Sequence, residues 1–112
     1  MKKTIFLLAF LACSILLIAQ APQKMSYQAV VRDGSGKLIQ NRQVGVRISV
    51  LQGSANGAVV YTETHLATTN VNGLVSLEVG GGVTSNLFSQ INWANGPYFM
   101  KTETDPDGGT AY

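Results

Sequence analysis

The sequence predicts an all-β protein, an antiparallel β-sandwich that follows a secretory leader. Apolar and polar side chains alternate with a period of two residues after the leader. Turns rich in glycine and asparagine interrupt the alternation at short intervals, and no long segment has the period of an α-helix. Short strands joined by such turns are typical of antiparallel sandwiches.

Residues 1–21 have the composition of a signal peptide. Two lysines precede an apolar run over residues 5–19, and the small residues Ala19 and Ala21 offer a cleavage site. The run is short for a membrane span. We therefore expect a signal-peptide helix that is removed during export, with cleavage after Ala19 preferred to cleavage after Ala21. No membrane span is expected after cleavage.

The single cysteine lies inside this leader. Cys13 ends the segment Phe10-Leu11-Ala12-Cys13, which loosely resembles a lipoprotein acceptor motif, although apolar residues continue beyond it. Lipidation is therefore the lesser alternative. Cleavage removes Cys13, so the exported domain has neither a disulfide nor a thiol, and its stability must come from packing.

Charge and length restrict the possible functions. Lys2 and Lys3 account for the whole formal net charge of +2, which leaves the exported part neutral. A neutral domain without a basic stripe is not expected to bind nucleic acid. Residues 22–112 suffice for one modest core and are too few for a second domain. The sequence therefore predicts a single β-sandwich module.

The alternation predicts five strands. It is clearest over residues 44–50, where valines and an isoleucine share one face and Gly45, Arg47 and Ser49 share the other. Residues 75–79 repeat this pattern, so both strands are expected to be half buried, with one face solvated. The predicted strands are residues 25–32, 44–50, 59–66, 75–79 and 98–104.

Turn residues separate these strands, because glycine and asparagine readily adopt the positive φ angles that tight connections need. The predicted turns are residues 33–36, 53–57, 70–73, 80–82 and 105–109. Residues 110–112 are then expected to begin a sixth strand. We therefore expect the chain to be a fragment of a longer gene product.

Residues 84–93 break the alternation. Their apolar side chains fit a turn or short helix that closes one end of the sandwich, with Ser85 as a candidate cap. These apolar residues are Leu87, Phe88, Ile91 and Trp93. The alternative is an aromatic platform for a sugar ring. Burial of Trp93 distinguishes the two.

Several motifs lie along the exported part: YQAVVRD at 27–33, Gly36 and Asn41, VGVRISV at 44–50, TNVNGL at 69–74, NWANGPY at 92–98 and TDPDGG at 104–109. Together they resemble the N-terminal module of a large, mostly uncharacterised group of secreted bacterial cell-surface proteins. The resemblance implies an immunoglobulin-like or transthyretin-like sandwich that precedes collagen-like or tail-fibre-type regions. It carries over no catalytic residue, because its motifs specify a fold and not a chemistry.

His65 is the only histidine, so any catalytic triad would have to include it. Glu63 lies two residues earlier on the same strand face, and we expect the two to form an exposed polar pair. Gly80-Gly81-Gly82 superficially resembles a phosphate-binding loop, but no Lys-Ser/Thr pair follows, so a flexible strand connection is expected.

Asp105 and Asp107 form a weak calcium candidate, because carboxylates two residues apart in a flexible loop can bind a hard cation. Pro106 and the glycines that follow also suit a tight turn without any ion. The turn is the preferred interpretation. No cofactor is predicted.

The sequence therefore predicts a non-catalytic structural or adhesive module, secreted or on the bacterial outer surface, which spaces or presents downstream regions of the same protein. The alternative is a glycan- or peptide-binding module that uses exposed aromatics. Trp93 and Tyr98 are the leading binding residues, with Phe99 and Tyr61 as further candidates. An enzyme remains only if missing C-terminal sequence carries the activity. Self-association through an edge strand is also expected, as is a glycan or surface protein as a partner.

Overall fold

The computed structural model describes residues 23–112, which form five strands. They are β1 (Met25–Val30), β2 (Gln43–Gln52), β3 (Ala58–Thr68), β4 (Leu74–Val79) and β5 (Tyr98–Asp105). The all-β prediction is confirmed, and every predicted strand end lies within two residues of an observed one. The predicted leader, residues 1–21, lies outside the described residues. Within residues 23–112, no helix has the length and apolar character needed to cross a membrane.

The strands form two antiparallel sheets. β1 pairs with β4 in one sheet, and β2 lies between β3 and β5 in the other. Val46 on β2, for example, lies opposite His65 on β3 and Thr104 on β5. A register shift between Val50 and Leu51 marks a bulge in the pairing of β2 with β3. β2 is therefore the central strand of the larger sheet.

One apolar core takes side chains from both sheets. Val44, Val46 and Ile48 of β2 are at most 2% exposed, and Val75 and Val79 of β4 at most 1%. These residues occupy alternate positions of the two clearest sequence patterns, as predicted. Burial of such side chains is the main stabilising contribution in a domain of this size.

The prediction of a solvated second face is confirmed for β4 and wrong for β2. On β4, Ser76 and Glu78 are exposed. On β2, Gly45 and Ser49 are buried. The C-terminal segment lies against Gly45, where a Cβ would come within 2.1 Å of the carbonyl oxygen of Gly109. The central strand is therefore covered on a face that the local pattern assigned to solvent.

The predicted sixth strand is wrong, since residues 110–112 form no strand. Instead, the Ala111 N–H donates to Oδ2 of Asp105 at 3.0 Å. The ring of Tyr112 lies 4.6 Å from Cζ of Arg47, a cation–π contact. These contacts hold the segment against the larger sheet.

The segment predicted at residues 84–93 contains the single-turn 3-10 helix Phe88–Gln90 and the start of a second, Trp93–Asn95. The prediction of a turn or short helix is confirmed, but Ser85 as its cap is wrong. Neither helix has a side-chain cap. The Thr84 hydroxyl, ahead of the first helix, accepts the Asn86 N–H at 3.0 Å and donates to the Thr62 carbonyl at 2.6 Å. Thr84 thereby joins the helical segment to β3.

A buried carboxylate joins the two sheets. Glu63 of β3 is fully buried. Its oxygens accept hydrogen bonds from the Tyr61 hydroxyl at 2.8 Å and from the N–H groups of Gly80 and Gly82 at 2.6 Å and 3.0 Å. Nε2 of His65 also contacts this carboxylate. Because Gly80 directly follows β4, these bonds tie the larger sheet to the end of the smaller one.

The expected exposed pair of Glu63 and His65 is therefore wrong, and the glycine loop is the physical reason. A Cβ at Gly82 would lie 2.6 Å from both Oε2 of Glu63 and Nε2 of His65. Glycine lets the loop backbone approach closely enough to cover the carboxylate and donate to it. Such bonds offset the large cost of removing a carboxylate from water.

Burial raises the pKa of Tyr61 to about 12, and the hydrogen bond to Glu63 contributes to the increase. The phenolate form is disfavoured because it would be buried next to an acidic side chain. The neutral hydroxyl is therefore part of the native arrangement.

Replacing Glu63 by alanine is expected to lower the free energy of unfolding by about 3–5 kcal/mol. The variant leaves the Tyr61 hydroxyl and the two glycine amides without their acceptor in a buried site. Urea denaturation measures the loss. The matched control is Glu78→Ala, which removes an exposed carboxylate 3.3 Å from Lys24 and is expected to lose at most about 1 kcal/mol. Similar small losses in both variants would contradict the role of Glu63.

The raised pKa of Tyr61 predicts a loss of stability at alkaline pH. Its stabilising contribution is complete below pH 10, the ordinary pKa, and is lost as the pH rises through the folded value of about 12. Tyr61→Phe removes this titration, so its free energy of unfolding should fall less between pH 10 and pH 12 than that of the parent. Leu77→Ala, at another residue packed against the core, changes no titratable group and should keep the parent's slope. Parallel profiles for the parent and Tyr61→Phe would refute the linkage.

Candidate binding site

Four aromatic side chains form a row that runs from the core to the surface, here called the aromatic row. Its members are Tyr61, Phe88, Trp93 and Tyr98, with successive ring centroids 5.3, 5.6 and 5.2 Å apart. All three pairs have the edge-to-face geometry that aromatic rings favour. Tyr61 is 1% exposed and Trp93 is 46% exposed. The row is therefore anchored in the core and open to solvent at Trp93.

The structure brings together the two leading binding residues predicted from sequence, Trp93 and Tyr98. Phe88 packs against the core, as expected of a segment that closes one end of the domain. Trp93 is only half buried, so the aromatic-platform alternative stands beside that interpretation. Tyr61 is buried and offers no stacking surface. Phe99 follows Tyr98 on β5 and so lies on the opposite face of the strand.

A cleft of about 310 Å³ lies beside the aromatic row and shares Tyr98 with it. Residues with carboxamide side chains make up most of its lining, and we call it the amide cleft. The carboxamide residues are Gln52, Asn86, Gln90, Asn92 and Asn95. The apolar side chains Val60, Leu87 and Ile91 complete the wall, and none of the lining residues is charged.

Paired strand ends position the cleft. Gln52 ends β2 opposite Tyr98, which begins β5. Nε2 of Gln52 donates to the carbonyl of Asn95 at 3.1 Å, and the Tyr98 hydroxyl donates to the carbonyl of Asn92. The sheet therefore holds the backbone of the 3-10 segment that carries most of the carboxamides.

The aromatic residues of this site are predictable from the sequence pattern, whereas its carboxamides are not among the predicted binding residues. A sequence signal was present, since Asn86, Gln90, Asn92 and Asn95 all fall within one irregular segment. Gln52 is distant in sequence, and only the pairing of β2 with β5 brings it to the same cleft.

His65, the one candidate for a catalytic triad, and the glycine loop, which resembles a phosphate-binding loop, both contact Glu63. The His65 side chain is 12% exposed and its Nε2 contacts the buried carboxylate. The amides of Gly80 and Gly82, which would face a phosphate in a phosphate-binding loop, donate to Glu63 instead. The loop is thus a strand connection that binds an internal anion.

The calcium candidates Asp105 and Asp107 lie in a hydrogen-bonded turn. Asp105 is buried, and its carboxylate accepts the N–H groups of Asp107 and Ala111, each at 3.0 Å. These bonds hold the pKa of Asp105 below its ordinary value. Asp107 pairs with Arg42 at 2.6 Å. Residues 23–112 contain no group of three or more His, Cys, Asp and Glu side chains placed to hold a metal ion.

Comparison with known proteins identifies the family but assigns no activity. No curated protein and no solved structure matches the chain. A family model described as a domain of unknown function (DUF8740) matches residues 26–112. Since this range covers most of the chain and all five strands except the first residue of β1, the protein belongs to the DUF8740 family.

Proposed function

We propose that the protein is an exported, non-catalytic module of the bacterial cell surface, with a structural or adhesive role, which spaces or presents the regions that follow it in a longer protein. In this proposal the two sheets form an immunoglobulin-like or transthyretin-like β-sandwich. The shared apolar core supports that assignment, because facing sheets bury their inner side chains against each other.

The observation that carries the proposal is that the histidine and several acidic side chains, the groups most often used in catalysis, are hydrogen-bonded to other parts of the domain. The only histidine contacts Glu63, whose carboxylate also accepts three further hydrogen bonds. Glu103 forms a bidentate pair with Arg47 at 3.0 Å and 2.9 Å. Asp105 accepts backbone amides of its own turn. Such groups stabilise a scaffold.

A second copy of the chain is the partner proposed for the outer edge of β5. This strand pairs only with β2 among the described residues, and its Phe99 and Met100 are 40% and 47% exposed. Unpaired strand edges can accept another strand through main-chain hydrogen bonds. A strictly monomeric protein in light scattering at high concentration would rule this interaction out.

A second candidate function is glycan or peptide binding. The half-exposed Trp93 and the adjoining amide cleft favour it, since binding sites combine apolar surface with a few placed polar groups. This function is compatible with a surface module, because adhesion needs a ligand site on a stable scaffold.

The export proposal predicts that the full chain, expressed in a bacterial host, is recovered outside the cytoplasm without its leader. Mass spectrometry should find Gln20 as the first residue, which corresponds to cleavage after Ala19. The charged variant Leu8→Arg interrupts the apolar run and should hold the protein in the cytoplasm with an intact leader.

Cys13→Ser serves as the control for lipidation. The variant should be processed and released like the parent. A cytoplasmic parent chain that keeps Met1 would refute export. Membrane attachment that is lost in Cys13→Ser would show a lipoprotein in place of a released one.

A further inference from the structure

We propose that the amide cleft binds a neutral saccharide, with its carboxamides contacting the sugar hydroxyls and with Tyr98, next to Trp93, contacting the sugar ring. The inference rests on the second candidate function above. It goes further by assigning the binding residues and by selecting an uncharged glycan over a peptide.

Four of the five carboxamides around the cleft are available for a ligand, since only Gln52 donates within the fold. No hydrogen bond within residues 23–112 uses the side-chain amides of Asn86, Gln90, Asn92 or Asn95. Elsewhere in the same part of the chain, Gln28 donates to Ser76 at 3.0 Å and Gln40 donates to the carbonyl of Val71 at 2.6 Å, whereas exposed residues such as Asn56 and Asn72 also keep their side-chain amides free. The distinguishing feature of the amide cleft is that four such free carboxamides line one depression.

Carboxamides suit a sugar because each has both a donor and an acceptor. A hydroxyl group is also a donor and an acceptor, so neighbouring hydroxyls of a sugar match the N–H₂ and C=O of one Asn or Gln side chain. Several carboxamides around a single cleft thus fit a ligand with several hydroxyls. The cleft volume of about 310 Å³ lies at the lower end of the range for small-molecule sites.

The lack of charge in the lining selects against other ligands. A carboxylate, sulfate or phosphate group leaves water at a large cost unless a cation or several strong donors replace its hydration. Neither Lys nor Arg lines the amide cleft. A neutral glycan needs no cationic partner in the binding site.

The aromatic row supplies the apolar part of the site. Tyr98 is the member of the row that lines the cleft. The ring centroid of the half-exposed Trp93 lies 5.2 Å from that of Tyr98, and Trp93 lines the adjoining depression with Phe88. The C–H groups of a sugar ring carry small positive charges that pack favourably on the negative face of an aromatic ring. Phe88 supports Trp93 from the core side, with centroids 5.6 Å apart.

A peptide fits this cleft less well than a sugar. Extended peptides usually bind by adding a strand to a free sheet edge, where the backbone supplies a ladder of hydrogen bonds. Four of the five carboxamides lie instead on the irregular segment between β4 and β5. The site therefore presents a cluster of side-chain amides and lacks the row of backbone groups that an extended peptide would pair with.

The test is native electrophoresis of the purified protein in gels that contain dextran, mannan, inulin, galactomannan or a soluble β-glucan. We expect at least one of these neutral polysaccharides to retard the protein. Oligosaccharides of that polymer should then change the fluorescence of Trp93, the chain's only tryptophan. The double variant Gln90→Ala, Asn92→Ala should bind about tenfold more weakly or worse, because it removes two pairs of hydrogen-bonding groups.

Asn72→Ala is the matched control, since it removes an exposed carboxamide from the turn between β3 and β4 and should bind like the parent. Urea denaturation of the double variant should match the parent, which separates lost binding from lost folding. Failure of all five polysaccharides to retard the protein overturns the proposal, as does undiminished binding by a folded double variant.

Alginate and a tryptic digest of casein complete the comparison. Stronger binding of alginate overturns the choice of a neutral sugar. Binding of casein peptides alone, weakened in the double variant, overturns the saccharide but leaves the second candidate function standing. If the protein is exported but binds none of these probes, the proposed binding function is wrong and the proposed structural role still stands.

Discussion

The buried carboxylate of Glu63 is the interaction on which the arrangement of the two sheets depends. A carboxylate that leaves water must recover its lost hydration from the protein. Here the hydroxyl of Tyr61 and the amides of Gly80 and Gly82 donate to it, and His65 contacts it. Two of these partners belong to the loop that follows β4. The larger sheet therefore holds the end of the smaller one through a polar contact as well as through the apolar core.

The same cluster also determines where the candidate binding site lies. Tyr61 donates to Glu63 and is the first ring of the aromatic row, so the row starts from a fixed point in the core. Phe88 and Trp93 extend it to the surface, and Tyr98 joins it to the end of β5. A row that packing already holds in place favours binding, because little conformational entropy is then lost when a ligand binds beside it. The stability of the fold and the geometry of the site are thus connected physically.

Local patterns predicted the strands well because alternation follows directly from strand geometry. Features that depend on distant parts of the chain were missed. The burial of Gly45 requires the C-terminal segment to fold back across β2, and the burial of Glu63 requires the glycine loop to cover β3. Trp93 was found because an aromatic residue outside the alternating pattern is conspicuous, and Tyr98 because it begins the strand that follows. The contribution of Gln52 was not, because strand pairing alone brings it to the cleft.

The most direct measurement of the role of Glu63 is hydrogen exchange at the backbone amides of Gly80 and Gly82. Both lie in a glycine-rich surface loop, where amides ordinarily exchange quickly. If their hydrogen bonds to the carboxylate hold the two sheets together, these amides should exchange only when the whole domain unfolds, as slowly as the amide of Val46 in β2. Exchange as fast as that of Gly34, in an exposed turn, would contradict this account.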